Sequence, residues 1–425
     1  MPASYDINKL TDHLFRHESG KMVAVLTKIF GIQNLETAED VVQQTFIDAI
    51  RVWKLKGIPD NPSAWLFRVA KNKAIDNIRR NKHSVQYDFN DNERKLLTSE
   101  YTLVTTMENL WNPGTIKDDQ LRMMFTCCHP GISPENQVTL ILKTLCGFST
   151  VEIAKAFLTS EDTVSKRLYR TKEFFREHRV AFKIPTVDEI KTRTDAVLSS
   201  IYLLFNEGYN STEKKELIRK DLIEEAMLLG KLLTENKDTQ LPEVFALMAL
   251  MCFHSARVDS RLTAEGEIIL LPYQDRTKWN QQLISLGNEY MNRAAFGNTI
   301  STYHLEAAIA YEHCIAESFD KTNWQLILEW YDCLCNISSS PITALNKMVA
   351  VMQVHGPAKA LEQIEQIADK KKLEPFYLYH ALAGEIYSRL NHPVKAKEYF
   401  ETAIRLTRSD AEKKVLKEKM IALLN

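Results

Sequence analysis

Apolar residues recur at spacings of three and four along most of the 425-residue chain, which is the period of an amphipathic α-helix. In residues 38–53 the apolar stripe consists of Val42, Phe46, Ala49 and Trp53. Only 13 Gly and 13 Pro are present to interrupt such stripes. The pattern therefore predicts an all-α protein with almost no sheet.

A second stripe follows the break at residues 57–62. The side chains that it can bury are Trp65, Leu66, Val69, Ala70, Ala74 and Ile78. The opposite, polar face carries Arg68, Asn72, Asp76 and Arg79. Trp65 can either stack on a nucleic-acid base or, because it lies in an apolar run, belong to the core. Asp76 can pair with Arg79 or Arg80 along the helix.

Residues 148–170, FSTVEIAKAFLTSEDTVSKRLYR, predict a helix-turn-helix. Ser149-Thr150 with Glu152 is typical of a helix start, and the short helix is expected to bury Val151, Ile153, Ala154 and Phe157. The second helix begins near Glu161-Asp162-Thr163 and buries Val164 and Leu168. It leaves outward Ser165, Lys166, Arg167, Tyr169 and Arg170. Such a helix can lie in the DNA major groove; a structural helical hairpin is the alternative, and Leu158 stands where such turns usually carry Gly.

The net charge of −1 conceals a basic N-terminal part. Residues 1–185 contain 26 Lys and Arg against 22 Asp and Glu, whereas residues 186–425 contain 28 against 33. The basic excess is concentrated in residues 65–82 and 164–183. A basic stripe on a helix is typical of contact with a phosphate backbone, although a solvated helix face has the same appearance.

Four motifs together, AEDVVQQTF, PSAWLFRVAKNKAIDNIRR, EIAKAF and TVSKRLYRTK, resemble regions 2 and 4 of a bacterial RNA polymerase sigma factor of the extracytoplasmic-function class. The stretch LRMMFTCCHPGISPENQ and the long helical tail resemble the subgroup with a C-terminal helical-repeat extension. The resemblance implies region 2 in residues 1–82, a linker in 83–117, region 4 with the helix-turn-helix in 118–184, and the extension in 185–425.

The family implies roles for the residues that match its motifs. The helix that docks on core RNA polymerase carries Asp40, Gln43, Gln44 and Phe46, although Phe46 also lies on the apolar stripe. The segment that meets the −10 element and the melted non-template strand carries Asn72, Lys73, Asp76, Arg79 and Arg80. The helix that reads the double-stranded −35 element carries Ser165, Lys166, Arg167, Tyr169 and Arg170. Promoter opening requires a base to leave the stack, which costs a few kcal/mol, so a pocket and backbone contacts are needed.

The C-terminal part resembles tetratricopeptide repeats near residues 303–408. In residues 380–406 the spacing of that repeat is matched by Gly384, Tyr387, Ala396, Phe400 and Ala403, although Arg408 replaces the usual closing Pro. Pro357-Ala358-Lys359-Ala360 has the same pattern as Pro393-Val394-Lys395-Ala396, which indicates a second copy of the repeat at 341–370. A third helical pair, with a weaker match, is predicted at 303–336. Stacked pairs would offer a face to a protein or peptide partner.

Two groups of polar residues invite a chemical interpretation. Cys127-Cys128-His129 has ligand chemistry, but adjacent ligands do not easily converge on one tetrahedral site, so packed thiols and a structural His are favoured and no metal is expected. Seven Cys, an odd number, suit reduced thiols. Glu207, His254, Arg257 and Asp259 lie in apolar surroundings, where they either line a ligand pocket or form a satisfied buried network.

The sequence therefore predicts a sigma factor that binds core RNA polymerase and opens promoters, regulated in cis by its extension. The alternative is a helix-turn-helix regulator with a repeat-type sensor domain that never enters the polymerase. The motifs GxxxxGK[ST], GxGxxG and HExxH are absent, so neither an enzyme nor a cofactor is expected. The N-terminus lacks an apolar signal core and no run of about 18 apolar residues occurs, so we expect a cytosolic protein without a membrane segment.

Overall fold

A computed structural model describes residues 7–80, 110–156, 159–211, 217–338, 340–367, 370–407 and 409–423. These residues form 18 α-helices with short 3₁₀ turns between them, and within these ranges the one β-type pairing is an isolated bridge between Leu262 and Ile268. The all-α prediction is confirmed. None of the helices within these ranges is long and apolar enough to cross a bilayer.

The N-terminal helices bear the predicted promoter-binding modules. They are α1 (Ile7–Phe30), α2 (Leu35–Lys56), α3 (Pro62–Arg80), α4 (Pro113–Cys127), α5 (Pro134–Thr144), α6 (Thr150–Ala156) and α7 (Glu161–His178). Most of the predicted linker, residues 83–109, lies outside the described residues, as do Phe157 and Leu158 of the predicted turn.

The remaining helices form the predicted extension. They are α8 (Val187–Tyr209), α9 (Lys220–Glu235), α10 (Pro242–Ala256), α11 (Gln281–Ala294), α12 (Thr302–Ile315), α13 (Trp324–Ile337), α14 (Pro341–His355), α15 (Pro357–Glu365), α16 (Tyr377–Arg389), α17 (Pro393–Leu406) and α18 (Asp410–Ala422). Arg408 lies outside the described residues.

The chain divides into two compact units. The N-terminal unit consists of Met1–Glu207 with Glu224–Thr239, and the C-terminal unit of Gly208–Ile223 with Gln240–Asn425. Both predicted promoter-binding modules therefore belong to one unit, which also takes in most of α8 and of α9. The sequence had predicted two modules and a separate extension, and those domain boundaries remain predictions.

The apolar stripes of α2 and α3 form the core of the first module. All four residues predicted for the α2 stripe are buried. On α3, Leu66, Ala70, Ala74 and Ile78 are buried, whereas Trp65 and Val69 are half-buried. The Trp65 ring packs edge-on against Trp53, with centroids 5.5 Å apart. At the end of α1 the chain turns at Gly31, whose φ of 82° favours glycine.

The predicted helix-turn-helix has the expected start signals. Ser149 donates its backbone N–H to Glu152 at 2.8 Å, and the Glu152 N–H donates to the Ser149 hydroxyl at 3.2 Å, which is a capping box. The Ser160 hydroxyl accepts the Thr163 N–H at 3.2 Å at the start of α7. Of the residues predicted to be buried on α6, Ile153 and Ala154 are buried, but Val151 is 40% exposed, so that prediction was wrong.

In the C-terminal unit, α12 to α17 follow one another as three helix pairs, at the positions predicted for repeats. Helix α16 packs on α17 through Gly384, where a Cβ atom would lie 2.7 Å from the Phe400 ring. Glycine therefore allows the large ring to lie against the backbone. A continuous apolar core joins these pairs and includes Leu305, Ile327, Met348, Ala360, Tyr379 and Ile386.

Candidate nucleic-acid interface

The first half of α7 presents the residues predicted to read the −35 element. Ser165, Lys166, Tyr169 and Arg170 are exposed, and Arg167 is half-buried. Lys166 pairs with Asp162 at 2.7 Å along the helix. Val164 and Leu168 are buried on the opposite side, as predicted, and fix this orientation. A basic face on the second helix of such a motif is chemically suited to phosphates and base edges.

The C-terminal half of α3 presents the residues predicted for the −10 element. Asn72, Asp76, Arg79 and Arg80 are exposed, and Arg68 shares their face. Arg79 pairs with Asp76 at 3.7 Å, so one of the two predicted pairings along the helix is present.

Lys73 differs from its neighbours on α3. It is half-buried and pairs with Asp48 of α2 at 2.7 Å. The hydrogen bond from Lys73 lowers the pKa of the Asp48 carboxyl. Sequence spacing gave no sign of this pair because its members lie on different helices. Lys73 therefore ties α3 to α2 and is less accessible than the other predicted −10 residues.

The predicted polymerase-binding face lies on α2. Asp40, Gln43 and Gln44 are exposed on it. Phe46 is only 5% exposed and packs edge-on against Phe15, with centroids 5.0 Å apart. In this conformation it supports the helix from the core and offers no surface to a partner.

Ile47 is a residue of this face to which the sequence analysis assigned no role. It is 50% exposed beside Gln43 and Gln44, at the spacing of neighbours on one helix face. An exposed aliphatic side chain among polar ones can anchor a protein partner. The signal available in the sequence was an apolar residue outside the buried stripe of α2.

The second half of α7 pairs with the beginning of α2. Lys172 lies 2.6 Å from Glu39 and 3.9 Å from Glu36, and Arg176 lies 3.0 Å from Glu36. Both acids precede Asp40 on the same helix. The helix that presents the predicted −35 face therefore also covers one end of the predicted polymerase-binding helix.

The two modules meet at three further places. Arg16 of α1 pairs with Glu152 of α6, and Lys28 of α1 lies 3.5 Å from Asp119 of α4. Gly20 of α1 lies against the backbone of Leu145, where a Cβ atom would overlap with the Leu145 carbonyl. Close helix approach at a glycine and paired charges around it describe a specific interface rather than a loose encounter.

Helices α8 and α9 complete the N-terminal unit by contacting both modules. Arg193 of α8 donates to the Phe125 carbonyl at 3.2 Å. On α9, Glu235 pairs with Lys117 at 2.8 Å, and Glu225 lies 3.5 Å from His17 of α1. The part of the chain predicted as the beginning of the extension is thus bonded to both predicted DNA-binding modules.

Two groups in this interface have shifted pKa values. Burial raises the pKa of Asp119 to about 6, against the opposing effect of Lys28 and Arg122. The hydrogen bond to Glu225 raises the pKa of His17 above its usual 6.5, although burial opposes it. The electrostatics of the interface therefore respond to pH near neutrality.

Cys127, Cys128 and Cys146 are buried free thiols. Burial raises the pKa of Cys127 to about 12 and that of the other two in the same direction. The His129 ring accepts the Gly131 N–H at 3.1 Å. Within the described ranges no group of three or more His, Cys, Asp or Glu side chains is placed to hold a metal ion.

The four residues predicted as pocket or buried network have different surroundings. Asp259 is exposed and pairs with Lys220 at 2.6 Å. Arg257 lies over the Trp279 ring, and His254 lies beside Tyr209 with ring centroids 5.0 Å apart. Glu207 belongs to the N-terminal unit, whereas the other three belong to the C-terminal unit.

Comparison with known proteins adds three findings. Residues 14–84 match the family model described as Sigma-70 region 2, which spans α1 to α3. Residues 193–295 match a family of unknown function, DUF6596. The chain is also 31% identical over 380 residues to Uncharacterized protein R00370 of Rhizobium meliloti (strain 1021), an alignment that covers 89% of this chain and 88% of the relative.

Proposed function

We propose that this chain is a sigma factor, which binds core RNA polymerase and directs it to promoters through two DNA-binding modules. The match of residues 14–84 to Sigma-70 region 2 supports this proposal. In this proposal Asn72, Asp76, Arg79 and Arg80 contact the −10 region, with Lys73 in a supporting position. Ser165, Lys166, Arg167, Tyr169 and Arg170 contact the −35 region. Asp40, Gln43 and Gln44, with Ile47, contact the polymerase. In this proposal the protein acts in the cytoplasm, where RNA polymerase and DNA are located.

The observation that carries the proposal is the exposure of two basic helix faces. One of them, on α3, lies within the match to Sigma-70 region 2, and the other lies on α7. The α3 face is exposed at Asn72 and Arg79, and the α7 face at Lys166 and Arg170. A helix-turn-helix regulator would need only the second face. The exposed polar face of α2, which such a regulator does not need, favours a polymerase partner further.

Run-off transcription with purified core polymerase, on a promoter upstream of the protein's own gene, tests this proposal. We expect a specific transcript and co-elution of the chain with the polymerase. Failure to co-elute, with DNA binding retained, would leave only the helix-turn-helix regulator.

Footprinting of single variants then tests the α7 assignment. If Arg170 reads a base, Arg170→Ala should weaken −35 binding by about 1 to 3 kcal/mol. If Arg170 contacts a phosphate, the variant should reduce the slope of log affinity against log salt concentration by about 1. Lys191→Ala is the matched control, because Lys191 is an exposed cation on α8. Equal footprints for both variants would contradict the assignment.

We further propose that the extension holds the two modules in a closed arrangement and so limits transcription in cis. Lys172 and Arg176 form ion pairs with the acidic side chains at the start of the predicted polymerase-binding helix. Glu225 of α9 pairs with His17 of the first module, and Glu235 of α9 pairs with Lys117 on α4, the helix that leads into the second module. The polymerase would have to displace these contacts before docking, which makes them an energetic barrier to initiation.

The cis-regulation proposal is tested with Glu225→Gln combined with Glu235→Gln in the full chain. These changes remove two links to the modules and alter neither predicted DNA face. We expect higher transcription than from the wild type. Asp259→Asn, which removes the Lys220 pair within the C-terminal unit, is the control. A cut after residue 185 is a poorer test, since it would remove α8 and α9 from the N-terminal unit.

The helix pairs α12–α17 support a tetratricopeptide-like assignment for the end of the chain. Gly384 against Phe400, with Ala396 and Ala403 buried, fits the small-and-large pattern of that repeat. In the proposed function this stack serves a protein or peptide partner that supplies the regulatory signal.

A further inference from the structure

Three arginines in the C-terminal unit lie against aromatic rings. The guanidinium carbons of Arg257 and Arg276 lie 5.6 Å and 4.6 Å from the centroid of the same Trp279 ring. That of Arg261 lies 3.8 Å from the Tyr209 ring, and Arg261 also donates to the Tyr209 carbonyl. The His254 ring lies beside Tyr209, with centroids 5.0 Å apart, and, besides burial, the charges of Arg257 and Arg261 contribute to lowering its pKa.

Among the described residues, no carboxylate pairs with this arginine cluster. Within the described residues none of the three guanidinium groups forms an ion pair. The acids nearest in sequence are engaged elsewhere: Asp259 pairs with Lys220 at 2.6 Å, and the Asp275 carboxylate accepts the Thr277 hydroxyl at 2.6 Å. The three side chains are half-buried, and within the described residues no carboxylate compensates for the water that they have lost, which is costly.

The cluster also contains buried hydrogen-bond donors without acceptors. In the described structure, the Nε atom of Arg257, the second terminal nitrogen of Arg276 and the indole nitrogen of Trp279 have no partner. The other terminal nitrogen of Arg276 donates to the carbonyls of His313 and Ala316 at 2.5 and 2.7 Å. Burial and the neighbouring cations lower the pKa of His254 and of His313 to about 3, so both imidazoles are neutral near pH 7. The group that would satisfy this environment is rich in acceptor atoms and negatively charged.

His313 connects the cluster to a cavity. Its ring forms part of the wall of a cavity of about 830 Å³ in the C-terminal unit, and its Nδ1 atom has no partner within the described structure. The wall is mainly apolar and includes Leu270, Phe319, Trp324 and Leu382. A volume of this size is in the range that holds a small organic molecule.

We propose that Arg257, Arg261 and Arg276 bind the oxyanion of a small organic ligand whose apolar part occupies the adjacent cavity. A phosphate or a carboxylate supplies the same acceptor chemistry to guanidinium and imidazole N–H groups. The residues belong to the segment that matches the family of unknown function, except His313. The site does not depend on the sigma-factor assignment and would give the extension a chemical input.

Isothermal titration calorimetry of the full chain tests the site by measuring its affinity for four probes: octyl phosphate, octanoate, octanol and inorganic phosphate. We expect at least one amphipathic anion to bind and to raise the unfolding temperature, while octanol, which has the same chain without charge, binds much more weakly. The octyl phosphate and octanoate arms identify the headgroup, and inorganic phosphate shows how much the apolar part adds. Octanol binding as tightly as both anions would overturn the proposal, as would no binding by any probe.

Arg257→Met separates a ligand site from a structural cluster. We expect it to lose about 10- to 100-fold in anion affinity. The unfolding temperature without ligand should be unchanged or higher, because the change removes a half-buried charge that forms no ion pair within the described residues. The matched control is Arg293→Met, since Arg293 stacks on Phe245 at 4.1 Å outside the cluster. Arg261→Met gives a second measurement if the first variant does not fold. Wild-type affinity in the variant that folds, or an equal loss in the control, would overturn the proposal.

Discussion

The predicted promoter-binding modules and the helix pairs of the predicted extension are held together by different forces. Across the module interface the contacts are largely charged, with Lys172 on Glu39 and Arg176 on Glu36. Between α16 and α17 the contact is apolar, with the fully buried Phe400 ring against Gly384. The strength of the charged contacts depends on salt concentration and on pH. The strength of the apolar contact does not depend on charge screening or on protonation.

This difference indicates which part of the molecule can open. Partly exposed ion pairs contribute about 0 to 1 kcal/mol each, whereas burial of one large apolar side chain contributes about 1.5 to 3 kcal/mol. A polymerase or DNA surface can replace the former with equivalent charges. The helix pairs of the extension should instead remain intact while the modules separate.

Phe400→Ala should have the largest effect, since it leaves a cavity against Gly384. We expect the free energy of unfolding of the C-terminal unit to fall by about 3 to 5 kcal/mol, measured by urea denaturation. Val394→Ala on the same helix is the control, because Val394 is 72% exposed, and its effect should be within about 0.5 kcal/mol. Equal effects would mean that α17 does not pack as described.

Gly20→Ala should open the module interface. Alanine is about 1 kcal/mol better than glycine inside a helix, yet here its Cβ atom would overlap with the Leu145 carbonyl, which should cost about 1 to 3 kcal/mol. Hydrogen exchange at α1 and α5 should therefore become faster. In Gly114→Ala the new Cβ atom has only an ordinary contact, 3.5 Å from the Asn112 side chain, and exchange should be unchanged or slower. The same protection in both variants would contradict the closed interface.

Acidification should tighten the N-terminal unit. Asp119, with its pKa raised from 3.8 to about 6, takes up a proton in the folded state first, so its contribution to stability grows as pH falls through about 6. His17, with its pKa raised above 6.5, contributes fully below 6.5 and loses this contribution as pH rises through its folded value.

Both pKa shifts stabilise the closed unit at low pH. The free energy of opening should rise by about 1 kcal/mol between about pH 7.5 and about pH 5.5. It is measured as protection from hydrogen exchange, corrected for the intrinsic exchange rate. Asp119→Asn and His17→Gln should each reduce the dependence. A dependence that survives the double variant would assign it to other groups.

The smallest expected effect is the coupling between Lys172 and Glu39. A double-mutant cycle of Lys172→Gln and Glu39→Gln should give a coupling of about 0.5 to 1 kcal/mol, because both side chains are mostly buried. The pair Lys166 and Asp162, which is well exposed on one helix, should give about 0.3 to 0.5 kcal/mol. Raised salt should reduce both values, and an undetectable coupling for Lys172 and Glu39 would show that apolar contacts close the unit.

Local features of the fold could be predicted because their causes are local. The α2 stripe from Val42 to Trp53 and the Ser149 and Glu152 capping box follow from spacing alone, whereas the helix pairs around Phe400 were predicted from the resemblance to tetratricopeptide repeats. Val151 was placed in the core because it is apolar, but only tertiary packing decides which side of a short helix is covered. The structure leaves it 40% exposed.

The candidate site was predictable to the same degree. The outward face of α7 followed from Val164 and Leu168, since buried positions determine the exposed ones. The pairing of Lys172 with Glu39 joins residues 133 positions apart, and no periodicity reports such a distance. That Arg257 forms no ion pair among the described residues was equally hidden, because sequence shows which charges exist and not which of them meet.

One continuous helix, α7, carries the predicted −35 face at its beginning and the contacts to Glu36 and Glu39 at its end. If promoter binding draws this helix away from α2, it also frees the start of the predicted polymerase-binding helix. Thermodynamic reciprocity then requires each macromolecule to raise the affinity of the other by the same factor. A closed chain that meets DNA or polymerase alone would hold either weakly, and the two together would hold it far more tightly.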